Sequence, residues 1–192
     1  MKKDIILAGV GGQGILSIAA VIGTAAIRQG LFVKQAEVHG MSQRGGAVQS
    51  HLRISSEQVY SDLIPKGSCD LILSVEPMEA LRYMPFLGPD GWIISNLNPF
   101  INIPDYPELE VLYDAYAKVK NSLLIDADGI ASGLGSKKAS NMVVLGAAAS
   151  VLEIGYDSLE ASIHDIFDRK GQDIVQLNLD ALKAGKDAAK AV

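Results

Sequence analysis

The chain is poor in the residues that mark several protein classes. Its 192 residues include one cysteine, three histidines and one tryptophan. One thiol cannot form an internal disulfide, and an iron–sulfur cluster is usually held by about four thiolates. The sequence therefore excludes a disulfide-stapled fold and a cluster held by this chain alone. It favours a reducing compartment, and we expect a cytoplasmic protein.

Basic clusters and long apolar runs are also missing. The formal net charge is −5, and the basic pairs Lys2-Lys3 and Lys137-Lys138 are short and expected to be solvated. Nucleic acids are bound through clustered Lys and Arg, so no nucleic-acid partner is expected. The longest apolar stretch, residues 15–27, is shorter than the roughly 20 residues that span a bilayer, and Ser17 and Gly23 interrupt it. No membrane partner is expected.

The chain does contain a glycine-rich turn directly behind an apolar strand. Residues 5–8 lead into Gly9-Val10-Gly11-Gly12-Gln13-Gly14, and the apolar spacing of residues 15–22 predicts a buried helix next. Gly9, Gly11 and Gly14 fit the G-x-G-x-x-G spacing between a strand and a helix.

Glycine permits the tight turn, lets backbone approach an anion and allows close helix–strand packing. Unpaired N–H groups and the positive end of the helix dipole then face the anion. We therefore predict an anion or nucleotide site at Gly9, Gly11, Gly12, Gln13 and Gly14. The alternative is that these glycines serve packing alone.

The remaining pattern alternates strands with helices. Strands are predicted near residues 31–38, 47–54, 70–75, 91–96 and 123–126, and helices at 77–87, 141–153, 158–168 and 173–190. This alternation predicts an α/β protein with a doubly wound, mostly parallel, Rossmann-like sheet and helices on both faces. An antiparallel excursion is expected near residues 47–60, with Val59-Tyr60 pairing back. We predict a single domain over residues 1–192 that ends in a polar tail at 183–192.

Some local signals refine this arrangement. The strand at 31–38 is expected to close a βαβ unit with the first strand. Asp126 is expected to cap a short helix, and Ser140 the helix that follows it. The small residues 146–149 favour close helix packing within the core over a dimer seam.

The polar segment after the second strand, His39-Gly40-Met41-Ser42-Gln43-Arg44-Gly45-Gly46, is predicted to be a loop. It belongs to a series of motifs that occur in order along the chain: GVGGQGI, EVHGMSQRGGAVQSHLRI, LIPKG and EPMEALRYMPFL. In these motifs the chain resembles the γ-type subunits of 2-oxoacid:ferredoxin oxidoreductases, and among them the small subunits of the indolepyruvate branch. The resemblance covers roughly residues 3–180, and HGMSQRGG is its most specific element.

The resemblance implies an assembly that decarboxylates a 2-oxoacid on thiamine diphosphate, passes electrons through iron–sulfur clusters to ferredoxin and releases an acyl-coenzyme A. In the indolepyruvate branch the 2-oxoacid is an aryl pyruvate. Coenzyme A is expected as a shared ligand of this chain, and residues 39–46 are expected to shape the thiamine site or the partner interface.

The chain itself lacks the ligands for this redox chemistry. Cys69 stands alone, and the Gly-Asp-Gly and Asn-Asn pattern of thiamine enzymes is only hinted at by residues 126–129. We therefore expect thiamine diphosphate, Mg²⁺ and the clusters on larger partner chains. No catalytic or metal-ligating residue is assigned here, and the isolated chain is expected to be inactive.

Other interpretations stay open. Glu37 ends the second strand near where a dinucleotide fold places its ribose-binding acid, so a freestanding NAD- or flavin-nucleotide-binding protein is the main alternative. Arg44 suits a bidentate clamp on phosphate or carboxylate as well as an ion pair across a subunit contact. His39 and His51 are proton carriers by type, but without an identified acid or base partner a structural role is favoured. A ligand-sensing module and a homodimer of the isolated chain are further alternatives.

Overall fold

A six-stranded mixed sheet forms the centre of the fold. The computed structural model describes residues 1–39, 45–101 and 103–190. The strands are β1 (Lys2–Val10), β2 (Phe32–His39), β3 (Ala47–Ser55), β4 (Cys69–Ser74), β5 (Leu87–Asn96) and β6 (Ser122–Ile125), in the order β2-β3-β1-β4-β5-β6. β1, β4, β5 and β6 run parallel, whereas β3 is antiparallel to both β1 and β2. The predicted α/β sheet with an antiparallel excursion is confirmed.

Helices pack on both faces of this sheet. They are α1 (Ile15–Arg28), α2 (Pro77–Leu81), α3 (Leu109–Ala117), α4 (Ala127–Gly133), α5 (Ser140–Ala147), α6 (Ala149–Leu152), α7 (Tyr156–Phe167) and α8 (Gln172–Ala189). Ile5 and Leu7 of β1 belong to the larger core with α1, α5, α7 and α8, whereas Ile6 packs on the opposite face with Tyr116 of α3. A continuously apolar strand is what burial on both faces requires. Within the described residues, no helix is long and apolar enough to cross a membrane.

The carboxyl ends of the parallel strands meet at one edge of the sheet. The chain leaves β1 into the glycine turn, β4 into α2, β5 into residues 97–108 and β6 into α4. α1 and α2 pack on opposite faces, so the connections from the neighbouring strands β1 and β4 diverge. Such a divergence opens the crevice in which α/β proteins bind ligands.

Several predicted pairings and boundaries are wrong. β3 lies between β1 and β2, so the expected βαβ unit is not made of neighbouring strands. Val59-Tyr60 forms no strand. The helix expected at 77–87 is shortened to α2, followed by a 3₁₀ turn at Met84–Phe86 and the early start of β5 at Leu87. The helix α3 was not predicted, because it buries few side chains and follows a proline-rich stretch.

The last helices also differ from their predicted ends. The helix expected at 141–153 divides at Ala148 into α5 and α6, and Ser140 is its first residue without acting as a cap. The expected polar tail is the end of α8, which continues to Ala189 and buries Gly185 against α5. By contrast, Asp126 caps α4 as predicted, since its Oδ1 accepts a hydrogen bond from the Gly129 amide at 2.9 Å.

Candidate functional site

The glycine turn joins β1 to α1 as predicted. Gly14 caps the helix in a left-handed conformation, with φ 80°, and Gly12 also has a positive φ of 100°. A Cβ at Gly14 would lie 2.5 Å from Nδ2 of Asn141, and one at Gly9 would lie 2.6 Å from Cγ2 of Val75. The turn therefore needs glycine for its backbone conformation at Gly12 and Gly14, and for close packing at Gly9 and Gly14.

Part of the predicted anion-binding surface is occupied by the protein itself. The Gly11 amide donates to the carbonyl of Gly46 at 2.9 Å, and the Gln13 amide donates to Val10 at 3.1 Å. The Gln13 side chain folds back, and its Oε1 accepts from the Val10 amide at 2.7 Å. The Gly11 amide is therefore taken up by a bond within the protein, and other amides of the turn would have to face the predicted anion.

The amides that remain lie at the start of α1. Those of Gly12, Gly14, Ile15 and Leu16 donate no hydrogen bond within the described part of the chain. Open amides and the positive end of the helix dipole are the features that an anion site needs, and the anion site at this turn stays a prediction.

A cleft of about 660 Å³ opens beside this turn. Residues 12–14 form one side of it, and Asn98-Pro99-Phe100, which follow β5, form the other. Phe167, Ile174 and Leu177 give it an apolar floor. Asn98-Pro99-Phe100 form this cleft wall because β5 ends at the same sheet edge as β1.

Three lysines border the cleft and were not predicted as site residues. Lys137, Lys138 and Lys170 line it, and Nζ of Lys137 also pairs with Oδ2 of Asp128 at 2.9 Å. Nζ of Lys170 lies 5.1 Å from the centre of the Phe167 ring. Lys137 and Lys138 are solvated as expected, but they also give the cleft a positive rim. The cluster could not be recognised in the sequence, because Lys170 is far along the chain from Lys137 and Lys138.

The end of the segment between β2 and β3 is hydrogen-bonded to the glycine turn. Gly46 accepts the Gly11 hydrogen bond, and the Gly45 amide donates to the carbonyl of Gly11 at 3.4 Å. Gly45 has a φ of 79°, a conformation that favours glycine. The structure thus brings the two predicted sites, residues 9–14 and 45–46, together. Gly40, Met41, Ser42, Gln43 and Arg44 lie outside the described residues, as does the side chain of His39.

Glu37 is not brought to the cleft. It lies on β2, and β3 separates this strand from β1 and the glycine turn. Its register partner on β3 is Ser50, which in turn pairs with Leu7, well before the end of β1. Its Oε1 accepts from Nε2 of Gln35 at 2.7 Å. In a dinucleotide fold the ribose-binding acid ends a strand next to β1, and this sheet order prevents that placement.

The remaining candidates for chemistry are buried structural groups. Nδ1 of His51 accepts from the Ile64 amide at 3.0 Å, and burial lowers the pKa of this imidazole. Burial raises the pKa of the Cys69 thiol to about 12, and its Sγ faces carbonyls of Asp4 and Leu71. A protonated, enclosed thiol does not suit a metal or cluster. In the part of the chain that the structure describes, no group of His, Cys, Asp and Glu side chains is arranged to hold a metal ion.

Comparison with known proteins gives a consistent picture. Residues 4–188 match the family model "Pyruvate ferredoxin/flavodoxin oxidoreductase". The chain is 39% identical to indolepyruvate oxidoreductase subunit IorB of Archaeoglobus fulgidus over a 198-residue alignment that covers 98% of this chain and 96% of the relative.

Solved structures share the fold. A keto/oxoacid ferredoxin oxidoreductase γ subunit from Geobacter sulfurreducens superimposes with a TM-score of 0.70 at 23% identity, covering 99% of both chains. The 2-oxoglutarate:ferredoxin oxidoreductase of Magnetococcus marinus, solved with 2-oxoglutarate, coenzyme A and succinyl-CoA bound, gives a TM-score of 0.78 at 24% identity. That match covers all of this chain and 31% of the larger one.

Proposed function

The chain belongs to the pyruvate ferredoxin/flavodoxin oxidoreductase family, and we propose that it is the small subunit of an enzyme that oxidises indolepyruvate or another aryl pyruvate. The observation that carries the proposal is the 39% identity to an indolepyruvate oxidoreductase subunit over nearly the whole of both chains. In the proposed reaction a 2-oxoacid, coenzyme A and oxidised ferredoxin give an acyl-coenzyme A, CO₂ and reduced ferredoxin.

The redox cofactors of this reaction belong to partner chains in the proposal. The buried thiol of Cys69 is the chain's single cysteine, and a cluster needs several accessible thiolates. When bound to a partner, thiamine diphosphate with Mg²⁺ supplies the decarboxylation chemistry and the clusters carry the electrons. This chain contributes a ligand cleft and the segment 39–46, whose end is hydrogen-bonded to the cleft's glycine turn.

Coenzyme A is the proposed occupant of the cleft. Its phosphates suit the open amides of Gly12 and Gly14, which line the cleft, and the three lysines of the rim, while its adenine and pantetheine parts suit the apolar floor. The Magnetococcus neighbour was solved with coenzyme A bound, which supports the same ligand class here.

Substrate choice tests the aryl pyruvate proposal. The chain purified in complex with its partner subunit is expected to reduce ferredoxin with indolepyruvate and coenzyme A. Its kcat/KM is expected to be at least about tenfold above that for pyruvate or 2-oxoglutarate, because an aromatic pocket gains little from a small side chain. A preference for either of the smaller acids would reject the aryl substrate and leave the family membership in place.

Lysine substitutions test coenzyme A binding. In the full chain, replacing Lys138 and Lys170 together by alanine is expected to weaken coenzyme A binding roughly tenfold, because two exposed cations next to phosphates are removed. Calorimetry with coenzyme A measures this change. Lys120→Ala is the matched control, since Lys120 pairs with Asp90 and does not line the cleft.

The same titration separates the alternatives. Equal affinities of the double variant and the wild type for coenzyme A would show that this cleft is not the coenzyme A site. Tight binding of NADH without binding of coenzyme A would favour the nucleotide-dependent dehydrogenase instead. Binding of coenzyme A by a chain that never associates with a thiamine-bearing partner would favour a sensing module.

A further inference from the structure

A fully buried carboxylate lies behind the cleft wall. Glu76 follows β4 at the sheet edge and is 0% exposed. Its Oε2 accepts from the Glu79 amide at 2.7 Å and caps α2. Its Oε1 accepts from the Phe100 amide at 3.3 Å and from the hydroxyl of Tyr106. One carboxylate oxygen therefore ties the wall residue Phe100 to the Tyr106 side chain.

The opposite side of the cleft is attached to the same junction. Nε2 of Gln13 lies 3.5 Å from the carbonyl of Val75, the residue before Glu76, and Gly9 packs directly on the Val75 side chain. Ser74 fixes the junction from the strand side, since its Oγ donates to the Glu76 carbonyl at 2.6 Å. The glycine turn and the wall at Asn98–Phe100 thus meet at residues 74–76.

The chemistry of Glu76 points to positioning. Among the described residues, no lysine, arginine or histidine forms an ion pair with it, so its charge is balanced by hydrogen-bond donors alone. A buried carboxylate without a cation is costly, and a glutamine would fill the same space without the charge. A carboxylate, unlike an amide, accepts at both oxygens, which is what donors from α2 on one side and the wall on the other require.

We propose that Glu76 is a positioning residue that fixes the cleft wall at Phe100 against the β4–α2 junction and so sets the affinity of the cleft for its ligand. This inference rests on the proposed function, because it takes the cleft to be the coenzyme A site. Phe100 is 46% exposed, so its own packing holds it weakly, and the bond from its amide to Glu76 orders the wall.

Two variants remove this link in different ways. Glu76→Gln replaces one accepting oxygen by an amide group, and Tyr106→Phe removes one donor while leaving the carboxylate in place. Glu79→Gln is the matched control: Glu79 is a buried acid of the same helix, but its carboxylate contacts Arg82 and not the wall. The readouts are hydrogen exchange at the Phe100 amide and the dissociation constant for coenzyme A, both on the full chain.

We expect the Phe100 amide of Glu76→Gln to exchange roughly tenfold faster or more, and coenzyme A to bind roughly tenfold more weakly. Tyr106→Phe should change both readouts in the same direction by less, and Glu79→Gln should change neither. If Glu76→Gln does not fold, the Tyr106→Phe result decides in its place. Wild-type exchange at Phe100 in the folded variants would overturn the proposal. A wild-type chain that binds no coenzyme A would reject the ligand assignment instead, and the exchange data would still judge the positioning of the wall.

Discussion

Gly185→Ala is expected to destabilise the protein by about 3 kcal/mol, which lowers the melting temperature of a domain of this size by roughly 10 °C. Gly185 lies on α8 where this helix crosses α5, and an added Cβ would overlap the carbonyl oxygen of Val143. At the same crossing, a Cβ on Gly146 of α5 would overlap the carbonyl oxygen of Leu182. Backbone cannot give way as a flexible side chain does, so the two helices would have to separate.

Thermal unfolding followed by circular dichroism measures this effect, and Gly23→Ala is its control. Gly23 is also buried within a helix, but its added Cβ would meet only Cγ1 of Val33, at an ordinary 3.8 Å. In α1 this substitution should leave the stability of the protein unchanged or raise it by up to about 1 kcal/mol, because alanine has a higher helix propensity than glycine. Equal melting temperatures for Gly185→Ala and the wild type would contradict the close α5–α8 crossing.

This crossing shows which parts of the fold were accessible from the sequence. The small residues at 146–149 predicted close helix packing in the core, and the contact of Gly146 with α8 confirms it. The partner glycine was not recognised, because its position in the polar stretch after residue 183 suggested a tail. An amphipathic helix that packs along a narrow stripe of small residues has a weak apolar signal, so pairing it with α5 requires the tertiary structure.

The sheet shows the same division between local and distant information. The apolar runs of β1 and β4 and the glycines between β1 and α1 are local signals, and each predicted its element. The insertion of β3 between β1 and β2 depends on pairings over long sequence separations, which periodicity cannot specify. Because β3 separates β2 from β1, Glu37 lies away from the ligand site that its position in the sequence suggested.

The candidate site was predicted only where one segment carried it. Residues 9–14 were found from their spacing, although the Gly11 amide proved to be bonded to Gly46. The lysine rim and the wall at Asn98–Phe100 come from separate segments of the chain, and only the folded protein brings them beside the glycine turn. Glu76 stood in the motif EPMEALRYMPFL, but nothing in the sequence indicated that its carboxylate holds a loop more than twenty residues further along.

The isolated chain is expected to be colourless, to bind no thiamine diphosphate and to oxidise no 2-oxoacid. This is the largest effect that we predict, a complete loss of activity relative to the complex. Its physical reason is the ligand inventory: the one thiol is fully buried and protonated, and the described residues hold no group suited to a metal ion. Coenzyme A binding alone places no electron acceptor next to a substrate.

Visible absorption, iron analysis and thiamine analysis of the purified chain, each repeated after removal of copurified proteins, measure the cofactor content. Adding the partner subunit should restore ferredoxin reduction. The partner alone should reduce little ferredoxin, because it lacks the cleft and the segment 39–46 that this chain supplies. Iron that remains with this chain after the partner is removed would contradict the prediction that the chain holds no cluster. Oxidation of a 2-oxoacid by the chain alone would contradict its predicted inactivity. The assignment of the cofactors and the active site to the partner subunit would then have to change, since a single buried cysteine could not account for either result.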